Sequence, residues 1–302
     1  MSQTRRWWAL GLLCLAQFMV VLDVTVVNVA LPEIGRDLAL DRSAATWVFT
    51  AYTLCFGGLL LLGGRLADAL GRRRVFLTGL ALFTLASLAS GLAGSGGALI
   101  ASRAAQGIGA AMLSPAALSI ITTTFHGPDR HRALGVWAAI GGAGAAVGVL
   151  LGGVLTSGPG WEWVFFVNLP VGAAVAAAVP AVVGRLGAGD RPRRLDLPGA
   201  VTATLAIGLV IYGLVEAGDA GWGASTTLLA LGAGAATAAA FVLVERRATA
   251  PLVPGDLAAR RTVVTGNLVM LVASALLLAG FFLSSQYLQH VLRLSPMRTG
   301  LT

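Results

Sequence analysis

The chain has 302 residues, of which 57% are hydrophobic and 11% charged, with a formal net charge of +8. Soluble domains carry roughly 25% charged residues, and a mean hydropathy of +0.83 implies more apolar surface than one core of ordinary size can hide. A water-soluble protein is therefore excluded, and the chain reads as an all-α integral membrane protein.

Runs of about 17 to 25 apolar residues predict nine membrane spans: Trp7 to Ala30, Ala44 to Gly64, Val75 to Gly94, Ala98 to Phe125, Ala133 to Thr156, Trp163 to Gly184, Pro198 to Glu216, Ser225 to Val244 and Val264 to Leu288. These are helices, because barrel strands span with about ten alternating residues. The first is too long for a signal-peptide core and lacks a cleavage pattern.

All 21 basic residues are arginines. With the N-terminus placed in the cytoplasm, sixteen lie in inside connections, four (Arg36, Arg42, Arg293 and Arg298) in outside ones, and Arg103 lies inside a span. This positive-inside bias accounts for the basic charge without nucleic acid as a partner. Cys14 and Cys55 both fall within spans and read as small apolar fillers.

In chain order, span 1 contributes Asp23 within Leu22-Asp23-Val24-Thr25-Val26-Val27-Asn28-Val29-Ala30-Leu31-Pro32. It is the single carboxylate deep in a span. Span 2 carries Trp47 and Tyr52, which together with Asn28 and Gln106 are candidates to line a central cavity. Interface anchoring or helix contact is the alternative reading for Trp47, Tyr52 and Gln106. After span 2 comes Gly64-Arg65-Leu66-Ala67-Asp68-Ala69-Leu70-Gly71-Arg72-Arg73-Arg74, expected as a short turn in which Gly64 and Gly71 permit close backbone approach and Asp68 sits among guanidinium groups.

Span 4 holds Arg103 in Leu99-Ile100-Ala101-Ser102-Arg103-Ala104-Ala105-Gln106-Gly107. A charge at helix centre costs about 2.5 to 3.5 kcal/mol on insertion scales, which makes it a functional candidate that needs a partner. Asp23 lies about seven residues before the outer end of span 1, and Arg103 about five after the outer start of span 4. At about 1.5 Å per residue the two depths agree, so an ion pair is expected. It serves either proton coupling or simply the joining of spans 1 and 4.

Span 5 places Gly144, Gly148 and Gly152 at steps of four, with Gly153 beside them, so one helix face is bare and a neighbour can approach. Gly160-Trp161-Glu162-Trp163-Val164-Phe165-Phe166-Val167-Asn168-Leu169-Pro170 follows, its tryptophans expected as outer-interface anchors. A short basic linker, Arg185 to Leu195, precedes spans 7 and 8.

Other chemistries find little support. Gly142-Ala143-Gly144 follows no strand and lacks the third glycine of a dinucleotide site, and no Gly-Lys-Ser/Thr phosphate loop occurs. His126 and His131 around Asp129 read as a solvated connection rather than a metal site, and His290 as a polar tip at a helix end. No cofactor, metal or enzymatic constellation is expected.

Together these segments resemble the major facilitator superfamily. The Gly64 to Arg74 run is similar to its loop signature between helices 2 and 3, matching at Gly64, Asp68, Gly71 and Arg72 and lacking the usual basic residue at Ala69. The Asp23 segment resembles one characteristic of drug:proton antiporters, and the Arg103 segment one associated with proton coupling. Gly148-Val149-Leu150-Leu151-Gly152-Gly153 is similar to the antiporter signature of export members, with Val149 where proline is usual. The Trp161 run resembles the opening of the sixth helix in 14-helix drug antiporters.

The resemblance implies a six-helix bundle of two inverted three-helix repeats over residues 1–184. A linker and extra helix pair then occupy 185–261, and 262–302 begin a second bundle. It further implies proton-driven export of a drug-like small molecule by a bacterial inner-membrane carrier, usually monomeric, with the Asp68 loop securing the cytoplasmic gate. An uptake symporter of the same fold and a non-transporting scaffold remain as alternatives. Gln286-Tyr287-Leu288-Gln289 and Ser295 to Leu301 resemble the start of the family's second half, so the chain is expected to be a fragment of a longer protein or a truncated product.

Overall fold

A computed structural model describes residues 3–183, 197–249, 251–252, 255, 259–287 and 291. The basic linker from Arg185 to Leu195, His290 and the expected opening from Ser295 to Leu301 lie outside the described residues. The described chain is helical without strands: α1 Gln3–Asp37, α2 Arg42–Leu70, α3 Arg72–Gly91, α4 Gly96–Thr124, α5 Gly127–Ser157, α6 Trp163–Phe166, α7 Asn168–Val182, α8 Leu197–Asp219, α9 Ser225–Arg247 and α10 Arg261–Gln286. Among the described residues eight of the nine expected spans, with α6 and α7 together forming one, are long and apolar enough to cross a membrane, and α10, in the place of the ninth, is not among them.

Several helices outrun the apolar runs that announce them. α2 continues through Leu70, so Gly64 to Leu70 is the last part of a helix and not the short turn expected from sequence. Gly71 alone, at φ 97°, links it to α3 and caps both helices, a conformation open to glycine and strained for any residue with a Cβ. α1 runs past Pro32 to Asp37. The sixth span passes from α6 to α7 through Val167, whose backbone is itself helical at φ −59° and ψ −25°, so the two make one crossing. Local caps fix other starts: the Ala44 amide donates to Asp41 Oδ1 at 2.7 Å, and the Ala98 amide to Ser95 Oγ at 3.3 Å.

α4 packs between α2 and α3, α1 packs on α5 and α7, and α8 pairs with α9 while resting on α2. Glycine makes the α4 contacts close. A Cβ on Gly109 would meet the Phe83 amide nitrogen at 2.6 Å, and one on Gly79 the Gly109 carbonyl at 2.8 Å. Pro115 lies inside α4 and has no N–H for the Ala111 carbonyl four residues earlier. That carbonyl faces Gly63, where a Cβ would collide with it. The close approach expected of Gly64 thus belongs to Gly63, since a Cβ on Gly64 would meet only Pro115 Cβ at 3.8 Å, an ordinary contact.

Two apolar clusters stack along α1 and α4, one containing Leu13, Phe83 and Leu113 and the other Val26, Leu99 and Phe165. Polar side chains lie between them in register, while large apolar side chains such as Leu85 and Leu92 are exposed, at 65% and 69%. Grease outside and polarity inside is the arrangement a helix bundle adopts in lipid. Arg5 finishes carbonyls at the end of α7, and Arg65 reaches the segment that follows α9. Arg5 donates to Val182 O at 2.9 Å and Ala181 O at 2.6 Å, and Arg65 to Leu252 O at 2.7 Å and also to Pro251 O.

Candidate functional site

The centre of the bundle is a polar cluster drawn from five helices. α1 brings Asp23 and α4 brings Arg103, and Arg103 Nη1 donates to Asp23 Oδ2 at 2.6 Å with both side chains fully buried. Two charges at this depth are tolerated only when paired and hydrogen-bonded. The remaining bonds are supplied as follows. Arg103 Nη1 also donates to Gln106 Oε1 at 2.8 Å, and Arg103 Nε to the Val48 carbonyl of α2 at 3.3 Å. The guanidinium carbon stands 4.3 Å from the centre of the Tyr52 ring, within cation–π range.

The second carboxylate oxygen, Asp23 Oδ1, accepts from Gln106 Nε2 at 3.0 Å and from Asn168 Nδ2 at 2.9 Å. Behind these amides, Ser87 Oγ accepts from Gln106 at 2.6 Å and from Asn168 at 3.2 Å. Ser90 Oγ joins Ser102 at 2.8 Å and Gln106 Oε1 at 3.1 Å. Tyr52 Oη, Arg103 Nη2 and Asn168 Oδ1 are buried here without a hydrogen-bond partner.

The structure thus joins Asp23 and Arg103 as the depth argument expects, and adds groups that argument missed. For Tyr52 and Gln106 the structure shows helix contact: both are fully buried, the Tyr52 ring against the guanidinium and the Gln106 amide among four partners. Asn28 is exposed on α1, and Trp47 packs against Tyr212 of α8, ring centres 6.0 Å apart. Trp161 is not a surface anchor, for it is buried and donates to Asp37 Oδ2 at 2.9 Å, whereas Trp163 is half exposed. Asn168, Ser87, Ser90 and Ser102 had a signal in sequence. Ser87 with Ser90, and Arg103 with Gln106, stand three apart in apolar helices, a spacing that shares a face, and Asn168 is polar within a span.

Two other predicted groups lie apart from the cluster. Arg72 and Asp68 pair at 3.7 Å across one helical junction, half-buried, with Gly71 between them. Gly144, Gly148 and Gly152 face α1, where a Cβ would meet Val21 Cβ at 3.2 Å, Thr25 Cβ at 2.7 Å and Val29 Cβ at 3.0 Å respectively. Gly153 is off that face, with nothing within 4 Å of a Cβ. Among the described residues no group of His, Cys, Asp or Glu is disposed to hold a metal.

Comparison with known proteins matches this architecture. The chain is 46% identical over 298 residues to the puromycin resistance protein pur8 of Streptomyces alboniger, covering 98% of this chain and 59% of that protein. It is likewise 46% identical over 300 residues to the cephamycin export protein CmcT of Amycolatopsis lactamdurans, covering 97% and 61%. The chain therefore spans about three fifths of the length of these curated relatives.

Among solved structures, a peptide transporter POT in complex with sulfate superposes with a TM-score of 0.57 at 20% identity, covering 80% of this chain and 52% of that one. A bacterial homolog to the human lysosomal transporter Spinster, inward-facing and occupied, gives 0.55 at 21%, covering 100% and 70%. At these identities the likeness is one of fold. The sequence profile described as Major Facilitator Superfamily matches residues 13–301, and this multi-pass membrane chain belongs to that superfamily.

Proposed function

We propose that the chain is the front portion of a proton-coupled efflux transporter for drug-like or antibiotic molecules, working by alternating access. The observation that carries this reading is the Asp23–Arg103 pair, sealed between two apolar clusters and braced by amides. A carboxylate whose main partner is one guanidinium changes that partnership when it takes up a proton, and the freed guanidinium must be solvated elsewhere. Two such arrangements of one buried site supply the bistable element that a coupled carrier needs. The roles named for the relatives, puromycin resistance and cephamycin export, support efflux over uptake.

In this reading residues 1–184 form the first six-helix bundle, 185–261 the linker and extra helix pair of the 14-helix branch, and 262–302 the start of the second bundle. The substrate site lies at the midplane between bundles, and the protein is a carrier rather than an enzyme. The Asp68–Arg72 junction belongs to the cytoplasmic gate, with the N-terminus cytoplasmic in a bacterial inner membrane.

The test is transport in everted vesicles containing the full-length protein. Asp23→Asn is expected to abolish export driven by a pH gradient, by tenfold or more, while binding of a fluorescent drug persists. Undiminished export in that variant overturns the coupling role. Accumulation in right-side-out vesicles instead of everted ones overturns efflux.

A further inference from the structure

Two amides serve the same carboxylate oxygen, Asp23 Oδ1, but they are held differently. Gln106 is fixed at both arms. Its Oε1 accepts from Arg103 Nη1 at 2.8 Å and Ser90 Oγ at 3.1 Å, and its Nε2 donates to Asp23 at 3.0 Å and Ser87 at 2.6 Å. Asn168 is held at one arm. Its Nδ2 donates to Asp23 Oδ1 at 2.9 Å and Ser87 Oγ at 3.2 Å, while its Oδ1, in a side chain 1% exposed, has no hydrogen-bond partner.

A carboxylate only accepts hydrogen bonds, whereas a carboxylic acid has an O–H to donate. An N–H arm facing that O–H leaves two donors opposed in a dry site, where an unpaired donor is costly. Half a turn about the terminal torsion of asparagine, which is broad and two-fold, exchanges N–H and oxygen in place. Gln106 cannot make the exchange without breaking its bonds to Arg103 and Ser90. Asn168 can: its oxygen then accepts from both the Asp23 acid and the Ser87 hydroxyl, whose proton is free to rotate toward it, so two hydrogen bonds replace the one kept to Ser87, while the N–H arm turns into the space its oxygen leaves.

We propose that Asn168 reads the protonation state of Asp23 by turning its amide over: the nitrogen serves the carboxylate and the oxygen serves the acid. Asn168 is a positioning residue here, and the proposal rests on the reading that Asp23 gains and loses a proton. Other groups facing Asp23 do not compete for the role. Arg103 of α4 only donates, Tyr52 of α2 turns its ring to the guanidinium, and on α3 Ser87 bonds both amides while Ser90 bonds Gln106 and not Asn168. α7 carries no charge, Glu162 precedes α6, and the charged residues of α5, Asp129 to Arg132, lie at its opposite end from Gly148, which packs beside the Leu22 carbonyl.

The test is infrared difference spectroscopy of the full-length protein in liposomes, with asparagine side-chain carbonyls isotope-labelled, on acidification. Two coupled signals are expected. One is a protonated-carboxyl band that disappears in Asp23→Asn. The other is a downshift of one amide carbonyl, as an unpartnered oxygen gains donors, that disappears in Asn168→Leu and, should that variant fail to fold, in Asn168→Ser. A carboxyl band without any amide shift overturns the turning amide and leaves proton coupling standing. Absence of the carboxyl band overturns both.

Discussion

At the scale of single residues, the energetic weight of the site falls on keeping two opposite charges together out of water. Removing one partner of a buried pair costs about 3 to 5 kcal/mol, because the other is left uncompensated, whereas replacing both by apolar groups is often neutral. Thermal unfolding in detergent is therefore expected to show Asp23→Ala well below the parent and the double variant Asp23→Ala with Arg103→Leu above the single one. A double variant at or below Asp23→Ala would mean that the charges do not depend on each other. Sequence reading reached this pair by depth counting, because a charge in a greasy helix is conspicuous. It missed Asn168, Ser87 and Ser90 since uncharged polar residues raise no such alarm, and it left Tyr52 and Gln106 open between cavity lining and helix contact because nothing in a one-dimensional string distinguishes a side chain facing a void from one facing a guanidinium.

Between helices, the determining quantity is how near two backbones come. The four-residue glycine step of α5 was legible, and three of its positions do face α1, but Gly153 does not. Gly148→Val is expected to lower stability by about 1 to 3 kcal/mol through overpacking against Thr25. Gly153→Ala should leave it unchanged or raised by up to about 1 kcal/mol, as helix propensity predicts. On α2 the contrast is between neighbours: Gly63→Ala drives a Cβ into the Ala111 carbonyl, while Gly64→Ala meets only an ordinary contact. Melting temperatures that rank Gly64→Ala below Gly63→Ala would contradict this packing. Family likeness pointed to Gly64. The proline at 115 that frees the opposing carbonyl is far along the chain, so the importance of Gly63 emerges only when α2 and α4 are set side by side.

For the whole molecule, helical class and eight of the nine expected crossings were readable because lipid demands long apolar runs and internal backbone bonding. Helix ends were read less well: the arginine-rich connections continue as helix through Leu70 and from Gly127 onward, where hydropathy falls but the backbone ladder persists. The direction of insertion rests on the arginine distribution and is open to a direct check. With Cys14 and Cys55 replaced by alanine, Gly94→Cys is expected to react with an impermeant maleimide on intact cells, and Arg130→Cys only after the membrane is opened. The reverse pattern would invert the topology.

The lone glycine between α2 and α3 leaves no slack at that corner. α8 is stitched to α2 where Thr204 Oγ1 donates to the Gly58 carbonyl at 2.7 Å, and Arg65 grips the strand of chain that leaves α9. A push on α2 is therefore expected to reach α3 through that tight elbow and α8 through the stitch, so that α8 and α9 ride with α2 as ballast.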